Sequence, residues 1–297
     1  MNLTKITTLS ATEINEIFSI ADAIKSGRQK AKMENKVLAL LFEKPSTRTR
    51  VSFEAAMARL GGSSIYIDKN TSQLSRGETI GDTAMVLSQY VDFIAARMYK
   101  QKDLEDLAAS ATVPVINALT DTEHPCQAIS DIYTMREKSD TLKGKKLAFV
   151  GDIAANTANS LLVGCTAMGM DVVLVGPESC KPNAEYLSRA KKSGRVEVTA
   201  DMHHGIKDAD FIYTDTFVSM GQEGEAEKRR AEFKEFQLNA SALSHAKKTA
   251  FVMHCLPAHR GEEITSEVLD GKMSIVALQA RNKMIVEGAI LIYLSSK

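Results

Sequence analysis

The sequence predicts an α/β protein of two doubly wound domains, each with a parallel sheet flanked by helices, and a C-terminal helix returning to the first domain. Three observations predict it. Short apolar, often β-branched runs alternate with amphipathic stretches along most of the 297 residues, as expected of parallel strands covered on both faces by helices. That length exceeds the needs of one small core and suits two α/β units. A polar stretch, Glu137-Lys138-Ser139-Asp140-Thr141-Leu142-Lys143-Gly144-Lys145-Lys146, interrupts the alternation between an expected helix and a new strand, as a domain boundary does.

In chain order, the first-half strands are expected at Val37–Phe42, 64–67, 92–96 and 113–119. Phe53, Ala56, Met57 and Leu60 follow the i, i+3, i+4, i+7 spacing of a helix face, and Gly61-Gly62 supplies its stop. A helix is expected over 126–136. The second-half strands are expected at Lys146–Val150, Asp171–Val175, Val196–Thr199, Phe211–Thr214 and Phe251–His254, and a last helix over 282–294. The domains are accordingly placed at 1–138 and 139–281, with the helix at 282–297 packing back on the first.

Composition narrows the function. Lys plus Arg (37) balances Asp plus Glu (37), so nothing suggests a nucleic-acid coat or an attraction to an anionic membrane. An anionic ligand must then meet a local concentration of positive charge. No apolar run approaches a membrane span, and Met1-Asn2-Leu3-Thr4 does not open a signal peptide. Cys126, Cys165, Cys180 and Cys255 are scattered without a C-x-x-C pair, so they are expected to be reduced thiols in a cytoplasmic protein.

Phe42-Glu43-Lys44-Pro45-Ser46-Thr47-Arg48-Thr49-Arg50 is the strongest local signal. Pro45 ends a strand, and the hydroxyl- and arginine-rich run falls where the next helix begins. A helix N-terminus offers free N–H groups and positive dipole, and an arginine can grip phosphate bidentately. A capped helix with a solvated basic first turn is the plainer reading, but basic residues disfavour a helix N-terminus.

This stretch resembles the carbamoyl-phosphate loop of the aspartate and ornithine carbamoyltransferases, and the resemblance continues along the chain. Ser72-Gln73-Leu74-Ser75-Arg76-Gly77-Glu78-Thr79 is similar to the family's mobile loop. Arg97 follows a strand, as the family's carbonyl-binding arginine does, and His124-Pro125-Cys126-Gln127 matches H-P-x-Q. Thr214-Asp215-Thr216-Phe217-Val218-Ser219-Met220-Gly221 looks like a D-x-x-x-S-M-G loop, and His254-Cys255-Leu256-Pro257 matches H-C-L-P, both marks of the ornithine branch. The resemblance implies transfer of the carbamoyl group of carbamoyl phosphate to the δ-amine of L-ornithine, giving L-citrulline and phosphate.

It also implies site residues. Ser46, Thr47, Arg48 and Thr49 would hold the phosphate, joined by Gln73 from the mobile loop. Thr49, Arg97 and His124 would donate to the carbonyl oxygen, and Gln127 would accept from the carbamoyl NH₂. Cys255 and Leu256 would lie near the carbamoyl unit. Asn156, Asp215, Ser219 and Met220 would bind ornithine. Arg97, His124 and Cys255 are the expected catalytic set, with Cys255 either assisting deprotonation of the amine or only binding it. No cofactor and no metal is implied; His254-Cys255 lacks further ligands at suitable spacing. The expected partners are carbamoyl phosphate, L-ornithine and further copies of the chain, in a trimer with shared active sites.

The chain departs from the family pattern in places. Ile153-Ala154-Ala155 replaces a usual Gly-Asn pairing before Asn156. Arg281-Asn282-Lys283 replaces E-N-R, so Lys283 stands at the phosphate-binding arginine's place, keeping charge without the planar fork; Arg281 is the alternative. Lys100-Gln101 stands where a histidine is common. Other readings are a carbamoyltransferase for another amine, a non-catalytic relative that binds carbamoyl phosphate, and a dinucleotide-dependent oxidoreductase. The last is disfavoured because Gly151-Asp152-Ile153 lacks G-x-G-x-x-G.

Overall fold

Val37–Phe42 (β1), Ser63–Asp68 (β2), Phe93–Arg97 (β3) and Val115–Leu119 (β4) form one sheet in the order β2-β1-β3-β4. The computed structural model describes residues 1–29, 32–218 and 223–297. All pairings in this sheet are parallel. The central strands β1 and β3 are buried almost throughout, whereas the edge strand β2 shows alternating exposure, the difference expected between doubly covered and edge positions. The fourth strand starts at Val115 rather than at 113, because Pro114 has no N–H to give a ladder. Its outer edge is covered by the N-terminus: Leu3 N–H donates to the Val115 carbonyl at 2.9 Å, and Asn117 N–H donates back to Leu3 at 2.8 Å.

The second sheet contains Lys146–Val150 (β5), Asp171–Val175 (β6), Val196–Thr199 (β7), Phe211–Thr214 (β8) and Phe251–His254 (β9), in the order β7-β6-β5-β8-β9 and all parallel. Ala148, Val150, Val173, Val175, Ile212 and Val252 project into one buried cluster.

By contacts the chain forms two units, Met1–Tyr133 with Arg281–Lys297, and Thr134–Ala280. The fold class is therefore the expected one. The last helix runs over Val276–Ser295, beginning six residues before the expected start. It therefore also takes in Val276-Ala277-Leu278-Gln279-Ala280-Arg281, and Gln279, Asn282 and Lys283 are buried on it. In the first unit this helix packs on Ala11–Lys25, Thr47–Arg59 and Pro125–Glu137. Tyr293 donates to Glu13 at 2.8 Å, and a Cβ on Gly288 would stand 3.2 Å from Leu60 and 3.5 Å from Ile24.

Each strand order reverses direction once. In the first sheet the reversal falls between β1 and β3, and in the second between β5 and β8. Crevices beyond the carboxyl ends of strands at such switch points are where open α/β sheets bind ligands. Ser46 to Thr49, Asn156 and Asp215 follow β1, β5 and β8, and Arg97 is the last residue of β3.

Candidate active site

After β1, Ser46 is extended (φ −156°) and caps the helix Thr47–Arg59; its Oγ accepts from Thr49 N–H at 3.4 Å and donates to Thr49 Oγ1 at 3.1 Å. No acidic residue occupies the first turn, so nothing there competes with an anion for the helix N–H groups. Thr47 and Arg48 are exposed and Thr49 is buried. Arg50 turns away, paired with Glu54 at 2.9 Å and placed over the Tyr66 ring at 3.9 Å. Arg48, by contrast, makes no ion pair among the described residues.

Lys283 reaches this turn from the C-terminal helix. Its Nζ donates to Gln127 Oε1 at 2.9 Å and to Thr49 Oγ1 at 3.4 Å, while Gln127 donates onward to Asp131 at 2.9 Å. Arg281 is exposed. Of the two cations left open by the sequence, Lys283 is the one beside Thr49 and Gln127.

Pro125 opens the helix Pro125–Glu137, a position that suits proline because the first N–H groups have no intrahelical partner. His124 immediately precedes it and is buried, as is Arg97 at the end of β3. Burial first, then the nearby Lys283 and Arg97 cations, hold His124 well below the usual histidine range. It is therefore a neutral imidazole at physiological pH. Thr49, Arg97, His124, Gln127 and Lys283 are thus brought together in the first unit. Gln73 is not: it lies in the short helix Gln73–Arg76 with an exposed side chain.

In the second unit, β8 and β9 are neighbours with Thr214 opposite His254, so Asp215 and Cys255 leave adjacent strand ends. The Asp215 carboxylate, a His254 ring nitrogen and Cys255 Sγ lie within 4.8 Å of one another. Three such donors would suit a metal, but both His254 nitrogens are engaged. Nδ1 accepts from Leu256 N–H at 2.8 Å and Nε2 meets Glu263 at 3.0 Å, leaving two donors where a closed site needs four. Leu256 has φ +57°, uncommon for a branched side chain, and the His254 contact holds its N–H in place. All four cysteines are without disulfides.

Asn156 begins the helix Asn156–Ala167 and accepts from Thr157 Oγ1 at 3.2 Å. Before it, Gly151 has φ +115°, and a Cβ there would stand 3.1 Å from the Phe217 ring. The turn thus needs glycine for its backbone and for the approach of the β8 loop. Ser219 and Met220, expected to bind ornithine, lie outside the described residues.

Sequence reasoning missed four supporting groups. Buried Glu43 accepts from Lys69 Nζ at 2.7 Å and from Tyr99 N–H at 2.6 Å, joining the loops after β1, β2 and β3. Buried Asp152 pairs with Arg229 at 2.6 Å, and Arg229 also donates to the Phe217 carbonyl at 2.8 Å, fixing the start of the Asp215 loop. Glu263 orients His254, and Glu287 lies buried on the C-terminal helix. Glu43 adjoins the Lys44-Pro45 turn, which is a signal of sorts; Arg229 is remote in sequence from Asp152, and Glu263 and Glu287 belong to no motif that marks them. Gln101, at the third departure, is bound into a buried network, accepting from Thr120 at 2.6 Å and Asn117 at 3.3 Å.

Residues 1–137 match the carbamoyl-P binding domain of aspartate/ornithine carbamoyltransferase, and residues 143–294 match the Asp/Orn binding domain. The chain is 51% identical over 272 residues to an anabolic ornithine carbamoyltransferase of Pyrococcus furiosus, covering 90% of this chain and 86% of the relative. It is 46% identical over 288 residues to the ornithine carbamoyltransferase of Bacillus subtilis, covering 95% and 90%. Among solved structures, the P. furiosus ornithine carbamoyltransferase superposes with a TM-score of 0.93 at 48% identity, covering 98% of this chain and 95% of that one. The anabolic ornithine carbamoyltransferase of Campylobacter jejuni superposes with a TM-score of 0.94 at 35% identity, covering 99% of both. With both domain matches in order along one chain and both sheets reproduced, the chain belongs to the aspartate/ornithine carbamoyltransferase family.

Proposed function

We infer that the protein is an ornithine carbamoyltransferase, moving the carbamoyl group of carbamoyl phosphate to the δ-amine of L-ornithine with release of phosphate and L-citrulline. The observation that carries the reading is the convergence of Lys283, Thr49 and Gln127 beside neutral His124 and Arg97. The Ser46–Thr49 turn and Lys283 hold the phosphate. Thr49, Arg97 and His124 face the carbonyl oxygen, where a tetrahedral intermediate gathers negative charge; one such donor typically contributes about 10²–10³ in rate. Being neutral, His124 acts there as a hydrogen-bond donor and not as an acid.

Asp215 pairs with the α-ammonium of ornithine, assisted by Asn156, Ser219 and Met220. Cys255 and the Leu256 backbone lie beside the reacting nitrogen. An alkyl ammonium with a pKa of about 10.4 must shed a proton before it attacks, so turnover at low ornithine rises with pH through the neutral range, and no limb of that profile belongs to His124.

The protein acts in the cytoplasm as a trimer, with Gln73 donated across an interface. Exposed large apolar side chains are consistent with association: Val51, Ile65, Met85, Val86 and Tyr90 all belong to the first unit. No described helix is long and apolar enough to cross a membrane. The reading is tested by following phosphate and L-citrulline together with the chelator-treated protein. Equal yields at an undiminished rate are expected; phosphate release without L-citrulline, or a rate restored only by added metal, contradicts it.

A further inference from the structure

Glu287 lies on the C-terminal helix one turn beyond Lys283 and has no exposed surface. Helical side chains lean towards the N-terminus, so a residue at i+4 is carried back over the one at i. Among the described residues the hydroxyl that faces the Glu287 carboxylate is that of Ser52, and it also donates to the Thr49 carbonyl at 3.2 Å, so the carboxylate has no hydrogen-bond donor committed to it alone. The helix is pressed against Thr47–Arg59 here, for a Cβ on the adjacent Gly288 would stand 3.2 Å from Leu60 and 3.6 Å from Ala56.

Ionising a carboxyl group in such a place is costly. Burial pushes Glu287 up to about 8, while the Lys283 ammonium and the Ser52 hydroxyl pull it the other way. The groups that face it are Lys283 on its own helix, Ser52 on Thr47–Arg59 and Cys126 on Pro125–Glu137. Cys126 remains a thiol, because burial and then Glu287 push it up against the opposing pull of Lys283. Among the described residues, Lys283 is therefore the cation that makes an ionised Glu287 tolerable, and it is also the cation beside Thr49 of the proposed phosphate turn.

We propose that Glu287 is a positioning residue for the phosphate group: it acts through Lys283, and occupation of Lys283 by a phosphate dianion is coupled to uptake of one proton from solvent by the Glu287 carboxylate. This rests on the reading of Lys283 as a phosphate-binding cation. Two anions cannot both be compensated by one buried ammonium, so the weaker acid of the pair takes a proton. The only bond formed is the carboxyl O–H, and the buffer supplies its proton. Where free Glu287 is ionised, anion affinity falls by up to about tenfold per pH unit. Where it is already protonated, affinity does not depend on this group.

The test uses the full-length protein. The KM for carbamoyl phosphate is measured from pH 6.5 to 9.5 at saturating L-ornithine, for wild type and Glu287→Gln. Sulfate, a dianion over this whole range, is titrated calorimetrically at pH 9 in two buffers of different protonation enthalpy. For wild type, KM should climb above about pH 8 towards tenfold per unit, with uptake approaching one proton per sulfate. Glu287→Gln should flatten the KM profile and abolish the buffer dependence of the heat. An unchanged profile in Glu287→Gln, or no proton uptake by wild type, overturns the proposal, and the second result needs no variant to fold. Lys283→Met separates the underlying reading: if it binds sulfate as wild type does, Lys283 is not the phosphate cation and both fail. If it loses sulfate while wild type takes up no proton, only the coupling to Glu287 fails.

Discussion

Arg48 and Arg50 stand two positions apart on one helix and differ in their partners: Arg50 is engaged by Glu54 and Tyr66, while Arg48 is exposed and makes no ion pair among the described residues, as the proposed phosphate turn requires. Arg48→Lys keeps the charge and loses the bidentate fork, so turnover should fall at least tenfold, chiefly through KM for carbamoyl phosphate; steady-state kinetics at fixed L-ornithine checks this. Lys283→Arg should preserve or tighten carbamoyl phosphate binding, because the added fork points at Thr49 and Gln127. Abolished binding in a folded Lys283→Arg protein would place the phosphate cation elsewhere. Glu287 also makes a stability prediction. Its folded value lies above the usual 4.5, so between the two values the native state binds more protons than the unfolded state, and stability falls as pH rises through that window. Glu287→Gln should remove that fall, seen as a smaller loss of Tm between pH 5 and pH 8. At this scale the sequence was informative where residues sit together in a motif, as at Ser46 to Thr49. It was silent on Glu287, whose importance comes from burial against other helices.

Among the elements, strands were more legible than helix ends. β1 and all five strands of the second sheet fall at their expected limits; the central ones are near-continuous apolar runs, while the edge strand β7 is legible by the alternation of Val196-Glu197-Val198-Thr199. The C-terminal helix begins six residues before Asn282, and its first turns include Gln279, buried where its Oε1 accepts from His254 N–H at 3.1 Å, a partner distant in sequence. The Asp215 loop shows the same limit. Its anchor, Arg229, ties Phe217 to Asp152, which is distant in sequence from both and whose carboxyl is raised by burial despite the arginine. Removing one partner of a buried pair typically costs about 3–5 kcal/mol. Arg229→Ala should therefore lower Tm and raise KM for L-ornithine more than KM for carbamoyl phosphate. Adding Asp152→Asn to it should restore part of the Tm, since the uncompensated charge is then gone. Equal rises in both KM values would show that Arg229 does not serve the acceptor loop in particular.

For the whole molecule, strand order explains why the motifs fall where they do: each switch point gathers the loops of two strands that are distant in sequence. Association was less legible, since an interface is visible in one chain only as uncovered apolar side chains. Mixed oligomers test it. Arg48→Ala disables a resident phosphate turn and Gln73→Ala a donated contact, so each parent is impaired at every site. In an equal random mixture about a quarter of the sites in a cyclic trimer combine an intact turn with an intact loop. Activity should rise well above either parent; no recovery after verified exchange would mean that Gln73 serves its own subunit. The central claim, however, concerns the acceptor that Asp215 and its loop select. The most direct measurement is a competition in which L-ornithine, L-aspartate and putrescine are offered together with carbamoyl phosphate and the carbamoylated products are separated and counted. On the proposed reading L-citrulline should dominate, because of the three only L-ornithine combines a terminal amine for transfer with the α-ammonium and α-carboxylate of an amino-acid end. Faster carbamoylation of L-aspartate or putrescine would contradict the account.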